Sequence, residues 1–345
     1  MVDLLGISIH KNNALSTKLH KLARSLQLAR DENNALRALD RKEYREDDAV
    51  SKVLEVFEKH VKKFKPQLPP VIELKDSTRT EWGDVVGISD WHIGEDVNAE
   101  EVNGSNEFNY KVAYKRVAKY ISKINTKQSS DNVVIADLGD NIRGIIHGGI
   151  EDTEGGLMES LVQAVDLQIV FINSMLAIYN KIDYRFVVGN HSRLDDHVKA
   201  KGKYKDYSWL ITQMLVRLYT NEPRITFHIS KSGFHLIKLN TASVLLFHGD
   251  TLRGYNPNQN GSRLNIQDIC IGLFRKSARH FFSGHKHIAM NIHNQWEGVN
   301  IISGTLVGNN EYGVQSGFST ISSSQCMFTV QQDGKIEDIY HFNLK

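Results

Sequence analysis

Five short stretches of this chain end in side chains that can bind a divalent cation, and each follows an apolar run. Asp90-Trp91-His92 comes after DVVGIS and offers a carboxylate and an imidazole two residues apart, a spacing that can aim both to one side of a strand end. Gly139-Asp140 comes after NVVIADL, and a carboxylate there could bridge two cations through its two oxygens. Gly189-Asn190-His191 follows YRFVV and supplies an amide oxygen with an imidazole beside it that could act on substrate. His248-Gly249 follows SVLLF. Gly284-His285-Lys286-His287 follows RHFFS, so that two imidazoles could face two separate cations if the backbone between them turns. Any one of these is commonplace, because a histidine often only satisfies a buried hydrogen bond. The signal is all five in this order, each with a glycine close by that permits a sharp turn or a close approach.

In that order, DxH, GD, GNH, a later H and GHxH, the chain resembles the calcineurin-like metallophosphoesterase family over roughly Val85 to Gly304. The resemblance implies one metal held by Asp90, His92 and His287, a second held by Asn190, His248 and His285, and Asp140 bridging them. It implies an α/β fold, a four-layer αββα sandwich of two facing sheets with helices outside. The cofactor expected is a pair of divalent ions, Mn first, with Fe, Zn, Ni or Mg also suited to nitrogen and oxygen ligands. Two such ions lower the pKa of a water between them and so supply hydroxide, and they neutralise phosphate oxygens. His191, beside a ligand and not one itself in the family, is then the group to stabilise the transition state or protonate the leaving oxygen.

The chain departs from the pattern in places. Ser192 and Arg193 follow Gly189-Asn190-His191 where many relatives carry a carboxylate, which leaves the partner of His191 open. Arg143 stands where break-repair nucleases of the family carry a histidine, and with Arg193 it is a candidate phosphate clamp through forked donors; a solvated surface arginine is the plainer alternative. Asp137 competes with Asp140 for the bridge, and Asp140 is preferred because it follows the glycine. His147 and Arg253 are further candidates for contact with substrate.

These residues need a scaffold, and the sequence describes one. After Lys65-Pro66-Gln67-Leu68-Pro69-Pro70, apolar strand-like runs alternate with amphipathic segments around Tyr110 to Ile124, Leu157 to Ile182 and Tyr207 to Leu218. That is the alternation of strands covered by helices, with ligands gathered beyond the carboxyl ends of the strands. The last part, at His280 to Ser283, Ile288 to His293, Val299 to Ile302, Gln325 to Val330 and Ile336 to Phe342, reads as a meander on a second sheet. We therefore expect a catalytic domain over 80–345 and a helical extension over 1–70. In the extension Leu15, Leu19, Leu22, Leu26, Ala29, Asn33 and Leu36 form a short a/d seam, as in a coiled coil that joins copies of the chain, or else one stripe packing on its own domain.

Composition sets outer bounds. At 41% hydrophobic and 24% charged the chain is that of a folded globular protein. Cys270 and Cys326 stand far apart in no CxxC pattern, which fits a reducing cytoplasm and argues against a disulfide framework and a thiolate metal site. No run approaches about 18 uninterrupted apolar residues, so no membrane is expected as partner. The net charge of +2 announces no polyanion by itself. Nucleic acid is nevertheless the expected substrate: residues 11–65 carry 14 Lys or Arg against 9 Asp or Glu, and Arg143, Arg193 and Arg253 cluster near the motifs. GNHSR, HGDTLRG and GTLVGNNEYG also resemble uncharacterised, nuclease-like phosphoesterases encoded by bacteriophages, which would act in a host cytoplasm. A phosphatase or phosphodiesterase for a small nucleotide, and a non-catalytic polymerase accessory subunit, are the alternatives.

Overall fold

The computed structural model describes residues 80–146, 156–194, 203–250, 260–294, 297–315 and 321–345, together with Arg24. The expected helical extension over 1–70 and its seam, like His147 and Arg253, lie outside the described residues.

Val85, Val86 and Ile88 are fully buried, so their strand β1 (Thr80–Ile88) is covered on both faces, as a continuous apolar run requires. It pairs in parallel with β2 (Ser130–Asp137), β2 with β3 (Lys181–Phe186), and β3 with β4 (Ile225–Ile229). On its other side β1 pairs antiparallel with β10 (Ser324–Val330), and β10 with β11 (Ile336–Asn343), giving a six-stranded sheet. A second sheet has the order β5 (Phe234–Leu239), β6 (Ala242–Phe247), β7 (His280–Ser283), β9 (Val299–Ile302), β8 (Met290–His293).

The expected C-terminal meander is therefore corrected. Three of its strands lie on the second sheet, where β7 pairs with β9 in parallel, whereas β10 and β11 return to the first. All seven residues of β10 are buried, which suits a strand between two neighbours with another sheet beneath it. The sequence reading also missed β4 and β5, and it ran the second amphipathic segment on into β3.

Between the sheets Val85, Val134, Ala136 and Val187 meet Ile237, Val244, Leu246 and Phe282 in one core. Helix α1 (Tyr110–Lys127) starts where the Asn109 side chain accepts from Val112 N at 3.0 Å. It buries Ala113, Val117, Tyr120 and Ile124, a three-and-four spacing, and the Tyr120 hydroxyl donates to the carbonyls of Gly87 (3.0 Å) and Cys326 (2.7 Å) in β1 and β10. Helix α2 (Gly156–Ile178) is long and apolar enough by composition to cross a membrane; Leu161, Ala164, Leu167, Phe171 and Met175 are instead buried within the protein. Helix α3 (Tyr207–Leu218) follows, capped by Asp206. On the second sheet Ile266 and Cys270 of α4 (Asn260–Phe274) pack on Phe234, Leu245, Phe247 and Phe281. The layers run helix, sheet, sheet, helix: the four-layer αββα sandwich that the resemblance implies. A short helix, α5 (Glu311–Gln315), precedes β10.

Candidate metal centre

Each candidate ligand sits just past the carboxyl end of a strand. Asp90 and His92 follow β1, Asp140 follows β2, Asn190 follows β3, His248 follows β6, and His285 and His287 follow β7. The structure thus brings all seven to one rim between the two sheets. Five of them, Asp90, His92, Asp140, His285 and His287, adopt left-handed backbone with φ between 45° and 68°. Such geometry costs a non-glycine residue roughly 1–2 kcal/mol and persists only where the surroundings fix it. Here they do: Asp90 N donates to Gly139 O, His92 N to Asp140 O, and Leu306 N to Asp90 O, all at 3.0–3.1 Å.

The two glycines that matter most act by close approach. A Cβ on Gly189 would lie 2.1 Å from Asp140 Oδ1, and one on Gly284 would lie 2.6 Å from Asp90 Oδ2. The carboxylates themselves are oriented atom by atom. Asp140 Oδ1 accepts from Asn190 N and His191 N, both at 2.8 Å, while Oδ2 is buried with no hydrogen bond. Asp90 Oδ2 accepts from the Ser89 hydroxyl and from His285 N, and its Oδ1 is likewise left without one. A bridge through both oxygens of Asp140 is therefore corrected: only Oδ2 remains for it.

Around those two oxygens the other ligand atoms gather. His287 Nε2 lies 3.2 Å and His92 Nε2 3.7 Å from Asp90 Oδ1, and the two imidazole nitrogens are 3.1 Å apart. His248 Nε2 lies 3.0 Å from Asp140 Oδ2 and 3.0 Å from Asn190 Oδ1. The contact with Asp140 lacks hydrogen-bond alignment. His248 Nδ1 donates to the Leu138 carbonyl at 2.7 Å, so in the neutral ring Nε2 carries a lone pair among oxygen lone pairs. Lone pairs converge in this way when a cation lies among them. Separations of 3.0–3.7 Å fit the edges of a coordination shell whose bonds are about 2.0–2.1 Å long, which for a tetrahedron are roughly 3.3 Å. The groups Asp90/His92/His287 and Asp140/His248/His285 each place one ligand atom per residue within 4.8 Å of the others.

The titration behaviour agrees. Burial alone would raise the carboxyl of Asp90, but the imidazoles of His287 and His92 beside it hold it well below its usual range. Asp140 is likewise lowered against its burial, chiefly by His248 and His191. Burial works against a charge on His248 too, yet Asp140 and then Asp90 push it up to about 10. His285, half-buried beside the His248 charge, falls to about 4 through its desolvation and that charge.

His191 lies 4.4 Å, centroid to centroid, from the His92 ring and also forms a possible ligand group with His92 and Asp140, so it sits between the two cation sets. Its Nδ1 donates to the Arg143 main-chain carbonyl at 3.1 Å, which supplies the partner the sequence left open. Arg143 directs its Nε toward Glu95 at 3.7 Å, and Glu95 in turn accepts from Asn310 Nδ2 at 2.5 Å. Arg193 is half-buried and its Nε has no hydrogen-bond partner. Asp137 is no bridge: it accepts from the Tyr184 hydroxyl, Gly139 N and Asn141 Nδ2, and burial raises its carboxyl to about 6.

Sequence reasoning missed Glu95, Asn310 and the pair of Asp250 with Lys203, 2.6 Å apart. Glu95 and Asp250 each lie within three residues of a motif histidine and could have been weighed; Asn310 and Lys203 carry no such signal.

No protein-family model matches this chain, and no curated protein does. Among solved structures, vacuolar protein sorting 29 from Cryptosporidium parvum is 12% identical, with 76% of this chain and 100% of that one aligned at a TM-score of 0.34. The zinc complex of Vps29 from Entamoeba histolytica is 10% identical over 76% and 99%, at 0.33. A novel archaeal phosphodiesterase is 10% identical over 75% and 99%, at 0.34. At such identities function has to be read from this chain's own side chains.

Proposed function

We propose that this chain is a two-metal hydrolase of phosphate esters, most of all a phosphodiesterase that cleaves DNA. One observation carries the proposal: two buried carboxylate oxygens, Asp90 Oδ1 and Asp140 Oδ2, have no hydrogen bond and are ringed by imidazole nitrogens at 3.0–3.7 Å. The residues that would hold the first ion are Asp90, His92 and His287, those for the second would be Asn190, His248 and His285, and Asp140 would serve both. When bound, a pair of divalent ions supplies a nucleophile at neutral pH and neutralises the non-bridging oxygens of the phosphate, and Mn²⁺, Zn²⁺, Fe²⁺, Ni²⁺ and Mg²⁺ all suit oxygen and nitrogen donors.

The chain's own residues do the rest. The Arg143 carbonyl keeps a proton on His191 Nδ1, so the imidazolium form presents Nε2–H as the acid for the departing alkoxide. Arg193, half-buried two residues beyond His191, and Arg143, with Glu95 3.7 Å from its Nε, could each offer the terminal nitrogens of a guanidinium to a phosphate oxygen. Two arginines beside the rim favour a substrate with more than one phosphate, which supports a polynucleotide over a monoester.

The reading is tested by incubating the protein with Mn²⁺ and, in parallel, single-stranded DNA, duplex DNA, cyclic nucleotides and a phosphomonoester, with Asp140→Asn as control. Metal-dependent cleavage of DNA that the control lacks is the expected result. Hydrolysis of cyclic nucleotide or monoester alone would move the substrate to a small nucleotide, and metal binding with no hydrolysis at all would make the chain a non-catalytic subunit.

A further inference from the structure

Helix α1 carries lysines at 111, 115, 119, 123 and 127, a strict step of four along its whole length, and its 18 residues include no Asp or Glu. Lys111, Lys115, Lys119 and Lys127 are exposed and Lys123 is half-buried. The sixth basic residue, Arg116, turns inward and donates to the carbonyls of Leu306 (2.9 Å) and Val307 (2.6 Å), so it plays no part in the outer face. Among the described residues no carboxylate side chain pairs with any of the five. Lys119 contacts only a main-chain oxygen, that of Lys345, at 2.5 Å. For a chain whose net charge is +2, this is a strong local concentration of one sign.

The geometry describes what the ridge could meet. Four residues of α-helix rise about 6 Å, so the five ammonium groups are anchored along about 24 Å, or roughly seven base-pair steps of a duplex that bears one phosphate per about 3.4 Å of each strand. Lysine is a point charge on a flexible stem, suited to phosphates and not to base edges. Single-stranded nucleic acid also needs aromatic faces for its bases to stack on. Two of the aromatics beside the ridge have theirs engaged, Tyr340 and Phe342, which stack on each other at 5.6 Å with Lys127 Nζ over Tyr340 and Lys123 Nζ over Phe342, and this leaves Tyr114 as a lone exposed ring on α1 and not a row of them. The ridge also winds about 40° around the helix at each step of four, so it follows an inclined line and not a plane. That suits a phosphate strand better than a lipid surface.

We propose that this lysine ridge is a docking surface for the phosphate backbone of duplex DNA, engaged without regard to base sequence. The choice of DNA rests on reading the metal rim as a phosphodiesterase. The topology joins the two: β1 and β2 are parallel, so α1 must start at the strand ends that carry Asp90 and run back to the start of β2, with Lys111 at the rim end.

The test uses the full chain in EDTA, so that binding is read without hydrolysis. Lys111→Gln, Lys115→Gln, Lys119→Gln and Lys127→Gln are made singly and together; Lys123 is kept because its ammonium covers the buried Phe342. Affinity for a duplex of about 30 base pairs is measured by fluorescence anisotropy across salt concentrations, and each substitution is expected to reduce the salt slope by about 0.9. The fourfold variant should bind at least about tenfold more weakly at low salt and keep wild-type turnover of bis(p-nitrophenyl) phosphate with Mn²⁺. An unchanged slope in the fourfold variant overturns the proposal. So does tighter, ridge-dependent binding to phosphatidylserine vesicles or to a single strand of equal length. If the wild type binds duplex through the ridge but hydrolyses no phosphodiester, the hydrolase reading falls and the docking surface stands.

Discussion

His191 and Gly189 are neighbours in the chain with separable jobs. His191 touches the rim through a ring whose Nδ1 is spent on the Arg143 carbonyl, so His191→Ala should leave cation binding within a few-fold, by calorimetry, and lower turnover by about 10²–10⁴. A turnover unchanged by that substitution would remove the acid role. Gly189→Ala should do the reverse at first remove: its Cβ would press on Asp140 Oδ1 at 2.1 Å and disturb the two main-chain bonds that leave Oδ2 for the metals. Affinity for cations is expected to fall about 10–100-fold, the usual effect of a lost outer partner. Equal affinities for the variant and the wild type would show that the carboxylate is held by other means. The side chains that carry charge were legible because types and order suffice to name them. What was not legible is which atom of each is engaged, since Asp140 Oδ1 and His191 Nδ1 are both fixed by main-chain groups that any residue would supply.

At the scale of elements, one side chain ties the first strand end to the returning strand. Gln325 in β10 donates Nε2 to the carbonyls of Ser89, Gly304 and Ser324, and its Oε1 accepts from Ser89 N and Trp91 Nε1, so it grips both neighbours of Asp90. Gln325→Leu would strand several buried polar groups at about 1–3 kcal/mol each. We expect a loss of about 3–5 kcal/mol in urea denaturation, together with weaker cation binding; a loss below about 1 kcal/mol would mean that water or a shifted strand replaces the amide. The same pairing explains the misread meander. Spacing between strands reveals a hairpin such as β10 to β11, but the choice of sheet depends on which edge the pair meets. That edge belongs to β1, more than 200 residues earlier. The parallel strands β1 and β2 were readable for the opposite reason, because each holds an apolar run followed by its own crossover helix, whereas β3 alternates charged and apolar residues and its start was taken for the end of a helix.

For the whole molecule, pH and metal act on stability through different groups. His235, half-buried and beside Arg185, has its pKa lowered to about 4 from an ordinary 6.5, and His280, buried between Gly334 O and Val299 N, is lowered as well. Both are neutral in the fold and protonate more readily in the unfolded chain. Their contribution is therefore complete above about pH 6.5 and is lost as pH falls toward 4, about 3 kcal/mol at most for His235. His235→Gln should flatten the fall in unfolding free energy between pH 7 and 4.5, and an identical slope in the variant would discount it.

The candidate metal rim lies at the seam between the sheets, where Asp90 and Asp140 are fully buried and five rim residues hold left-handed backbone. A cation that binds only the folded rim stabilises it by mass action, about 2.7 kcal/mol at a hundred times its dissociation constant. In a domain of this size that raises Tm by roughly 5–10 °C. Binding must displace protons, since His248 without metal holds one up to about pH 10, so the rise in Tm should grow with pH across the neutral range. Differential scanning fluorimetry with Mn²⁺, Zn²⁺, Fe²⁺, Ni²⁺ or Mg²⁺, reversed by EDTA and repeated on Asp140→Asn, measures the effect. If no ion moves Tm, or if the asparagine variant responds as the wild type does, the unpaired oxygens at the rim are not a metal centre, and the hydrolase reading goes with it.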